Sequence, residues 1–208
     1  MLSLRFNSLF VHIPRTAGQS IEQVFLAAHG LAWEDRAALL LRPNDDPAQG
    51  PERLAHLFAR EYVDCGHVTA EAFASLFKVS VVRNPYDRLI SEFRYRRPRV
   101  GLHAFLDRAQ TDAFSDRARH LAPQVDYLHD RQGRLLVDQL VRFERLAEEV
   151  APLFERIFGR RVELPHANAA GAPISALDLR PALRRRIHRL YEADFDAFGY
   201  PSEPVGPR

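Results

Sequence analysis

Residues 8–20 read Ser-Leu-Phe-Val-His-Ile-Pro-Arg-Thr-Ala-Gly-Gln-Ser, and this pattern predicts a strand, a tight loop and the start of a helix. Ser8 to Ile13 is mostly apolar, which is typical of a buried strand, and Pro14 ends it. Apolar side chains then recur at helical spacing after Ser20, at Ile21, Val24, Phe25 and Ala28. Such a junction directs free backbone N–H groups and the positive end of a helix dipole to one point, so we expect an anion site there.

The loop adds side-chain donors at Arg15, Thr16, Gln19 and Ser20. Two nucleotide-binding fingerprints are absent from the chain: G-x-x-x-x-G-K-[ST] and G-x-G-x-x-G. The loop is therefore neither an ordinary ATP or GTP P-loop nor a Rossmann dinucleotide site. Geometry of this kind is not specific by itself, because many strand–loop–helix junctions bind nothing.

The composition is that of a globular protein. The chain has 208 residues, of which 46% are hydrophobic and 27% charged, so we expect a single domain over 1–208. A net charge of +2 gives no strong field for nucleic acid, and we expect no nucleic-acid partner. Lys78 is the only lysine, so an arginine elsewhere can reflect a general compositional bias.

The cysteine content and the hydropathy of the chain indicate where the protein is located. Cys65 is the only cysteine, which excludes an intramolecular disulfide and a cysteine metal cluster. No segment approaches the roughly 20 apolar residues that cross a bilayer, and no secretory leader is visible. We therefore expect a cytoplasmic protein with no transmembrane segment.

A second motif lies at residues 78–97. Lys78 to Val82 is rich in β-branched residues and predicts a strand, which ends at Arg83. Asn84 suits a helix N-cap, and the helix then runs to about Arg97 with apolar side chains at Tyr86, Leu89, Ile90 and Phe93. Since parallel strands end at one sheet edge, Arg83 and Ser91 can reach an anion there. Taken singly, Arg83 also suits a helix-end salt bridge and Ser91 a solvated hydroxyl.

The remaining pattern alternates strands with helices. We predict further strands at Tyr62–Cys65 and Leu135–Val141, and helices at Leu146–Phe158 and Pro181–Phe198. The predicted fold class is α/β, with a parallel β-sheet flanked by helices on both faces.

Together, the two motifs resemble those of the sulfotransferases. His-Ile-Pro-Arg-Thr-Ala-Gly-Gln-Ser (12–20) is similar to their 5′-phosphosulfate loop, and Val-Val-Arg-Asn-Pro-Tyr-Asp-Arg-Leu-Ile-Ser (81–91) to their 3′-phosphate motif, with Arg83 and Ser91 at the matching positions. The likeness is greatest to the carbohydrate group that includes uronyl 2-O-sulfotransferases and bacterial members. Weaker similarities lie at 124–128, 141–146, 164–168 and 194–200.

The resemblance implies a P-loop-like fold and a donor, 3′-phosphoadenosine 5′-phosphosulfate (PAPS), with 3′-phosphoadenosine 5′-phosphate (PAP) as product. It implies in-line transfer of a sulfuryl group to an acceptor hydroxyl, with carbohydrate as the expected acceptor and no metal. Arg15 and the loop N–H groups would stabilise charge on the leaving phosphate. The implied donor-binding residues are Pro14, Arg15, Thr16, Ala17, Gly18, Gln19, Ser20, Arg83 and Ser91.

The catalytic base is expected to be His67. It lies in Cys-Gly-His-Val-Thr-Ala-Glu-Ala-Phe (65–73), which is similar to a segment of the family that carries a catalytic histidine. Arg15 is the second catalytic candidate, although the family usually has lysine there, and lysine is a compact point charge whereas arginine is a planar fork. We expect His12 to support the loop from the strand end, and His166 to line the acceptor or adenine side or only to form a turn.

Two other functions stay open from the sequence. A binding module would keep the nucleotide pocket and transfer nothing, and Arg15 in place of lysine favours it. A P-loop-like kinase is disfavoured, because the chain lacks G-K-[ST] and an obvious strand-end aspartate for Mg²⁺.

The walls of the acceptor site are expected at residues 42–51 and 99–125. The arginine cluster of Arg96, Arg97 and Arg99 suits an acidic sugar chain or is only a solvated face.

Overall fold

The computed structural model describes residues 1–107, 112–164 and 176–204. Its sheet has four strands in the order β1 (Leu2–Ser3), β2 (Ser8–Val11), β3 (Phe77–Val82) and β4 (Gln139–Arg142). The strands β2, β3 and β4 are parallel, whereas β1 pairs antiparallel with β2 at the edge. The three parallel strands therefore end at the same edge of the sheet, as predicted.

Helices cover the sheet and form most of the described chain. The α-helices are α1 (Gly18–His29), α2 (Glu61–Asp64), α3 (Ala70–Ser75), α4 (Pro85–Arg96), α5 (Leu102–Asp107), α6 (Asp116–Leu121), α7 (Gln124–Leu128), α8 (Leu146–Phe158), α9 (Pro181–Leu190) and α10 (Glu192–Phe198). Short 3₁₀ helices lie at Trp33–Leu39, Pro47–Gln49, Leu54–His56, Phe143–Arg145 and Ala176–Asp178. In the described residues no helix is long and apolar enough to cross a membrane.

Side chains of β2 alternate between two cores. Phe10 packs with apolar residues of α1 and α8 on one face of the sheet. Leu9 and Val11 pack on the other face with Leu54, Tyr62 and other apolar residues. Both faces are thus buried under helices, which confirms the predicted α/β architecture and explains why β2 is mostly apolar.

Helix α4 begins as the sequence predicts. The Asn84 side chain accepts a hydrogen bond from the Tyr86 amide at 3.0 Å, and Pro85 occupies the first turn. Tyr86, Leu89 and Ile90 face a third core, built with α5, α6, α9 and α10. This packing leaves the Ser91 side of α4 to face the loop after β2.

Three predicted elements differ from the structure. Tyr62–Cys65 is not a strand: the turn is helical (α2), because the Glu61 carboxylate accepts the Phe58 amide at 2.8 Å and starts it. The strand predicted from Leu135 begins only at Gln139, since the Leu136 amide donates to the Leu128 carbonyl instead. The final helix is two helices that meet at Tyr191, whose φ of −120° interrupts the helical backbone.

Candidate active site

The loop after β2 has an unusual backbone. Arg15 and Ala17 adopt left-handed conformations with φ of 70° and 69°, on either side of Thr16. The Thr16 hydroxyl donates to the Ile13 carbonyl at 2.7 Å, and the residue is fully buried. Thr16 therefore closes the loop with its side chain, and none of its surface is exposed.

The loop amides are free to bind an anion. In the part of the chain that the structure describes, none of the backbone amides from Arg15 to Gln19 donates a hydrogen bond. They lie at the N-terminus of α1, a helix of 12 residues whose first turn contains no acidic side chain. Alternating left-handed residues and a helix N-terminus together form a concave set of donors that suits a phosphate or sulfate group.

Arg15 is held by two residues of α4. Its Nε and Nη2 atoms each lie 3.1 Å from the Ser91 hydroxyl oxygen, and its guanidinium lies 4.6 Å from the centre of the Tyr95 ring. Ser91 and Tyr95 are four residues apart, so they share one face of the helix. Burial lowers the pKa of Arg15 and the nearby Glu92 carboxylate opposes that shift. The planar guanidinium of arginine fits this arrangement, because it can bind Ser91 through two nitrogens and stack on Tyr95. A lysine ammonium is a compact point charge without this forked shape.

Arg83 joins the second motif to the loop. Its Nη1 atom donates to the Arg15 carbonyl at 3.0 Å, although the two residues are 68 positions apart. The guanidinium lies 4.0 Å from the centre of the Phe143 ring, and burial lowers its pKa. Its Nε is buried and has no hydrogen-bond partner among the described residues, so one charged donor is left unsatisfied.

The backbone of Arg83 is fixed by Gln124. The Arg83 amide donates to Gln124 Oε1 at 2.9 Å, and Gln124 Nε2 donates to the Arg83 carbonyl at 2.8 Å. The Gln124 amide in turn donates to the buried Asp194 carboxylate at 2.9 Å. The end of β3, which presents Arg83, is thus positioned by α7 and by α10, and α10 comes much later in the chain.

His67 lies in a different set of contacts. Its Nε2 is 2.8 Å from the Gln49 carbonyl oxygen, so Nε2 carries the proton and the lone pair is on Nδ1. Its ring also faces Tyr62 at 6.4 Å. Within the described residues no hydrogen bond, ion pair or ring contact joins His67 to Arg15, Arg83 or Ser91. The structure therefore places His67 against the 42–51 segment and not against the donor motifs.

The family model for the sulfotransferases matches residues 3–201. The chain belongs to the sulfotransferase family. The match includes the loop after β2, the Arg83–Ser91 segment and the His67 segment. No curated protein and no solved structure that was compared with this sulfotransferase matches it significantly.

His12 supports the loop after β2 in this sulfotransferase. Its Nδ1 lies 2.6 Å from a Glu22 carboxylate oxygen, which joins the end of β2 to α1. Burial raises the pKa of Glu22, but the charge and hydrogen bond of His12 hold it below its ordinary value. The His12 ring fills the space next to Gly18: a Cβ on Gly18 would lie 2.0 Å from its Cδ2 and Nε2 atoms.

We expect Gly18→Ala to lower the free energy of unfolding by about 1–3 kcal/mol, because the new methyl group overlaps the His12 ring. Urea denaturation measures the loss. In a His12→Ala background the same change should cost less, since the ring is gone. Gly101→Ala is the control, because no atom of the described residues lies within 4 Å of its Cβ position. An equal cost of Gly18→Ala in both backgrounds would contradict this packing.

The arginines that were expected to attract an acidic acceptor differ in whether their charge is already paired with a carboxylate. Arg96 donates to Glu92 at 2.7 Å and is half-buried, so its charge is already paired. Arg97 and Arg99 are exposed or half-exposed at the end of α4. His166 and residues 108–111 of the expected acceptor wall lie outside the described residues.

Tyr95, Phe143 and Gln124 contribute to the site but were not assigned a role from the sequence. Tyr95 carried a usable signal, because it lies one helical turn beyond Ser91. Phe143 and Gln124 lie in two of the weaker family similarities, but nothing in the sequence links them to Arg83, which is 60 and 41 residues away. Only tertiary structure brings these residues together.

Proposed function

We propose that this sulfotransferase moves a sulfuryl group from PAPS to the hydroxyl of a carbohydrate. The observation that carries the proposal is the contact chain Arg83–Arg15–Ser91, which joins two anion-binding motifs at one sheet edge. PAPS is anionic at two separated positions, its 5′-phosphosulfate and its 3′-phosphate. A protein with one loop of free amides and a second cationic group beside it matches that charge pattern.

Each motif has a separate role in the proposal. The amides from Arg15 to Gln19 bind the 5′-phosphosulfate, and Arg15 stabilises the charge that develops on the phosphate when the bond to sulfur breaks. Arg83 and Ser91 bind the 3′-phosphate, which would satisfy the unpartnered Nε of Arg83. Tyr95 and Ser91 hold the Arg15 guanidinium in place, so little reorganisation is needed.

His67 is the proposed base for the acceptor. Its Nδ1 holds the lone pair that would take the proton of the acceptor hydroxyl, while Nε2 stays bound to the Gln49 carbonyl. The Pro47–Gln49 turn thus orients the imidazole and forms one wall of the acceptor site. The acceptor proton leaves with His67, and the sulfuryl group remains on the acceptor oxygen.

The test is release of PAP from PAPS, measured with and without a panel of uronic-acid and neutral oligosaccharides. We expect release that depends on one class of saccharide, together with a mass increase of the saccharide that corresponds to one sulfuryl group. Binding of PAP with no transfer to any saccharide, phenol or amine would instead favour a nucleotide-binding module.

A further inference from the structure

A cluster of two histidines and one aspartate lies next to the donor loop and has no part in the proposed transfer. One ring nitrogen each of His56 and His120 and one carboxylate oxygen of Asp116 all lie within 4.8 Å of one another. His56 Nδ1 is 2.7 Å from Asp116 Oδ1, and His120 Nε2 is 3.6 Å from Asp116 Oδ2. Both histidines are buried, with 6% and 7% of their surface exposed.

His120 is oriented as metal-binding histidines are. Its Nδ1 lies 2.7 Å from the Glu92 carboxylate, which is 1% exposed. A carboxylate accepts a hydrogen bond, so Nδ1 carries a proton, and Nε2 is the nitrogen that faces Asp116. A carboxylate that binds the outer nitrogen of a histidine, and so fixes the inner one, is the usual arrangement around protein-bound zinc.

His56 is also placed to bind a metal. Its Nδ1 already lies 2.7 Å from Asp116 Oδ1, so both atoms can reach one ion. Coordination through Nδ1 places the proton of a neutral imidazole on Nε2. On metal binding, the hydrogen bond between His56 Nδ1 and Asp116 would be replaced by one bond from each of these two groups to the ion.

The charge around the cluster does not forbid a cation. Two arginines approach Asp116 Oδ2, Arg96 at 3.5 Å and Arg53 at 3.8 Å. The Arg53 side chain is 63% exposed and therefore screened by water. Arg96 is bound through Nε to Glu92, while its Nη2, the atom nearest Asp116, makes no hydrogen bond with any described residue. Glu92 and Glu22 add two carboxylates near the cluster, and Arg15 and the N-terminal amino group lie near them in turn, so the surroundings are mixed in charge.

We propose that His56, Asp116 and His120 bind a divalent transition-metal ion, with Zn²⁺ as the preferred ion. Two imidazoles and one carboxylate are a donor set that zinc accepts with tetrahedral geometry and a fourth position for water. Mg²⁺ and Ca²⁺ prefer six or more oxygen ligands, which the cluster does not offer. The ion would tie the Leu54–His56 turn to α6, beside the face of α4 that carries Glu92. The sequence predicts no metal, because His56 and Asp116 are 60 residues apart and form no recognisable spacing.

The test uses the full chain without a histidine tag, stripped with EDTA and dialysed. Calorimetric titration with ZnCl₂ should give one equivalent bound per chain, and Co²⁺ should give the strong visible absorption of a four-coordinate site. His120→Ala and Asp116→Asn should lose the stoichiometric site, and Glu92→Gln should weaken it roughly 10- to 100-fold. His103→Ala should bind as the unchanged protein does, because that histidine is 70% exposed and outside the cluster.

The proposal does not rest on sulfuryl transfer, since metal binding is read directly. Failure of the unchanged protein to bind one equivalent of Zn²⁺ would overturn it, whatever the variants do. Equal affinity in His120→Ala or Asp116→Asn would overturn it as well. If His120→Ala does not fold, Asp116→Asn and the Co²⁺ spectrum of the unchanged protein still decide: an octahedral spectrum contradicts the proposed ligands.

Discussion

Arg15→Ala should lower the rate of sulfuryl transfer by roughly 10²- to 10³-fold, the usual cost of removing one group that stabilises transition-state charge. The Arg15 guanidinium binds Ser91, while the backbone carbonyl of Arg15 accepts the hydrogen bond from Arg83, so the residue links both motifs. Its alanine variant removes the charge and leaves the loop amides in place. Donor binding should therefore weaken less than the rate falls. Steady-state kinetics at saturating PAPS, with the dissociation constant of PAP measured separately, distinguishes the two.

Arg15→Lys separates charge from shape. It keeps the positive charge but loses the fork that reaches Ser91 twice and the stacking on Tyr95. We expect it to retain far more activity than Arg15→Ala, because the family usually has lysine at this position. Arg185→Ala, an exposed arginine on α9, is the control and should leave the rate unchanged. A rate for Arg15→Ala within about twofold of the unchanged protein would remove Arg15 from the chemistry, since one lost electrostatic contact normally costs far more.

His67→Ala should abolish most turnover, by roughly 10²- to 10⁴-fold, while PAP binding stays within a few-fold. The reason is that His67 lies outside the donor contacts and faces the expected acceptor side. His129→Ala is a matched control, because His129 is also half-buried and binds a backbone carbonyl, that of Val125, at 2.9 Å. His67→Asn adds a further comparison, since asparagine has an N–H donor for the Gln49 carbonyl but cannot act as a base.

The combination of outcomes assigns the role of His67. Low turnover in both His67 variants, with unchanged melting temperature and PAP affinity, identifies the base. Recovery of activity in His67→Asn would mean that His67 only holds the Pro47–Gln49 turn. Near-normal turnover in His67→Ala would show that another group takes the acceptor proton.

Local patterns were sufficient for the elements whose own residues specify them. Asn84 and Pro85 start α4 by capping and by a preset φ, and the apolar run before Pro14 is a strand that is buried on both faces. The strand predicted at Tyr62–Cys65 is wrong because four residues are too few to show a strand or helix period. The segment is helical because the Glu61 carboxylate accepts one hydrogen bond that starts the turn. Strand β1 has only two residues and exists through pairing with β2, which no local pattern could reveal.

The site residues divide in the same way, into those that local sequence patterns reveal and those that only the tertiary structure brings together. The sequence predicts an anion-binding loop at Arg15–Ser20 and a second motif at Arg83 and Ser91, because both follow strands that end at one edge. It does not predict that Thr16 turns its hydroxyl inward, since that depends on the left-handed residues beside it. The i, i+4 spacing of Glu92 and Arg96 is typical of an ion pair on a helix. The sequence gives no sign that Asp116 lies close to Arg96, because α6 brings that aspartate from 20 residues away.

The most direct measurement is thermal unfolding with PAP, compared with 5′-AMP and ADP, without added metal. A ligand at about 100 times its dissociation constant stabilises the fold by roughly 2.7 kcal/mol, so binding is visible as a higher melting temperature. We expect PAP to stabilise the protein well beyond 5′-AMP and ADP, and Arg83→Ala to remove that difference. Equal stabilisation by all three nucleotides, or by none, would contradict a 3′-phosphate site at Arg83 and Ser91, and with it the proposed donor.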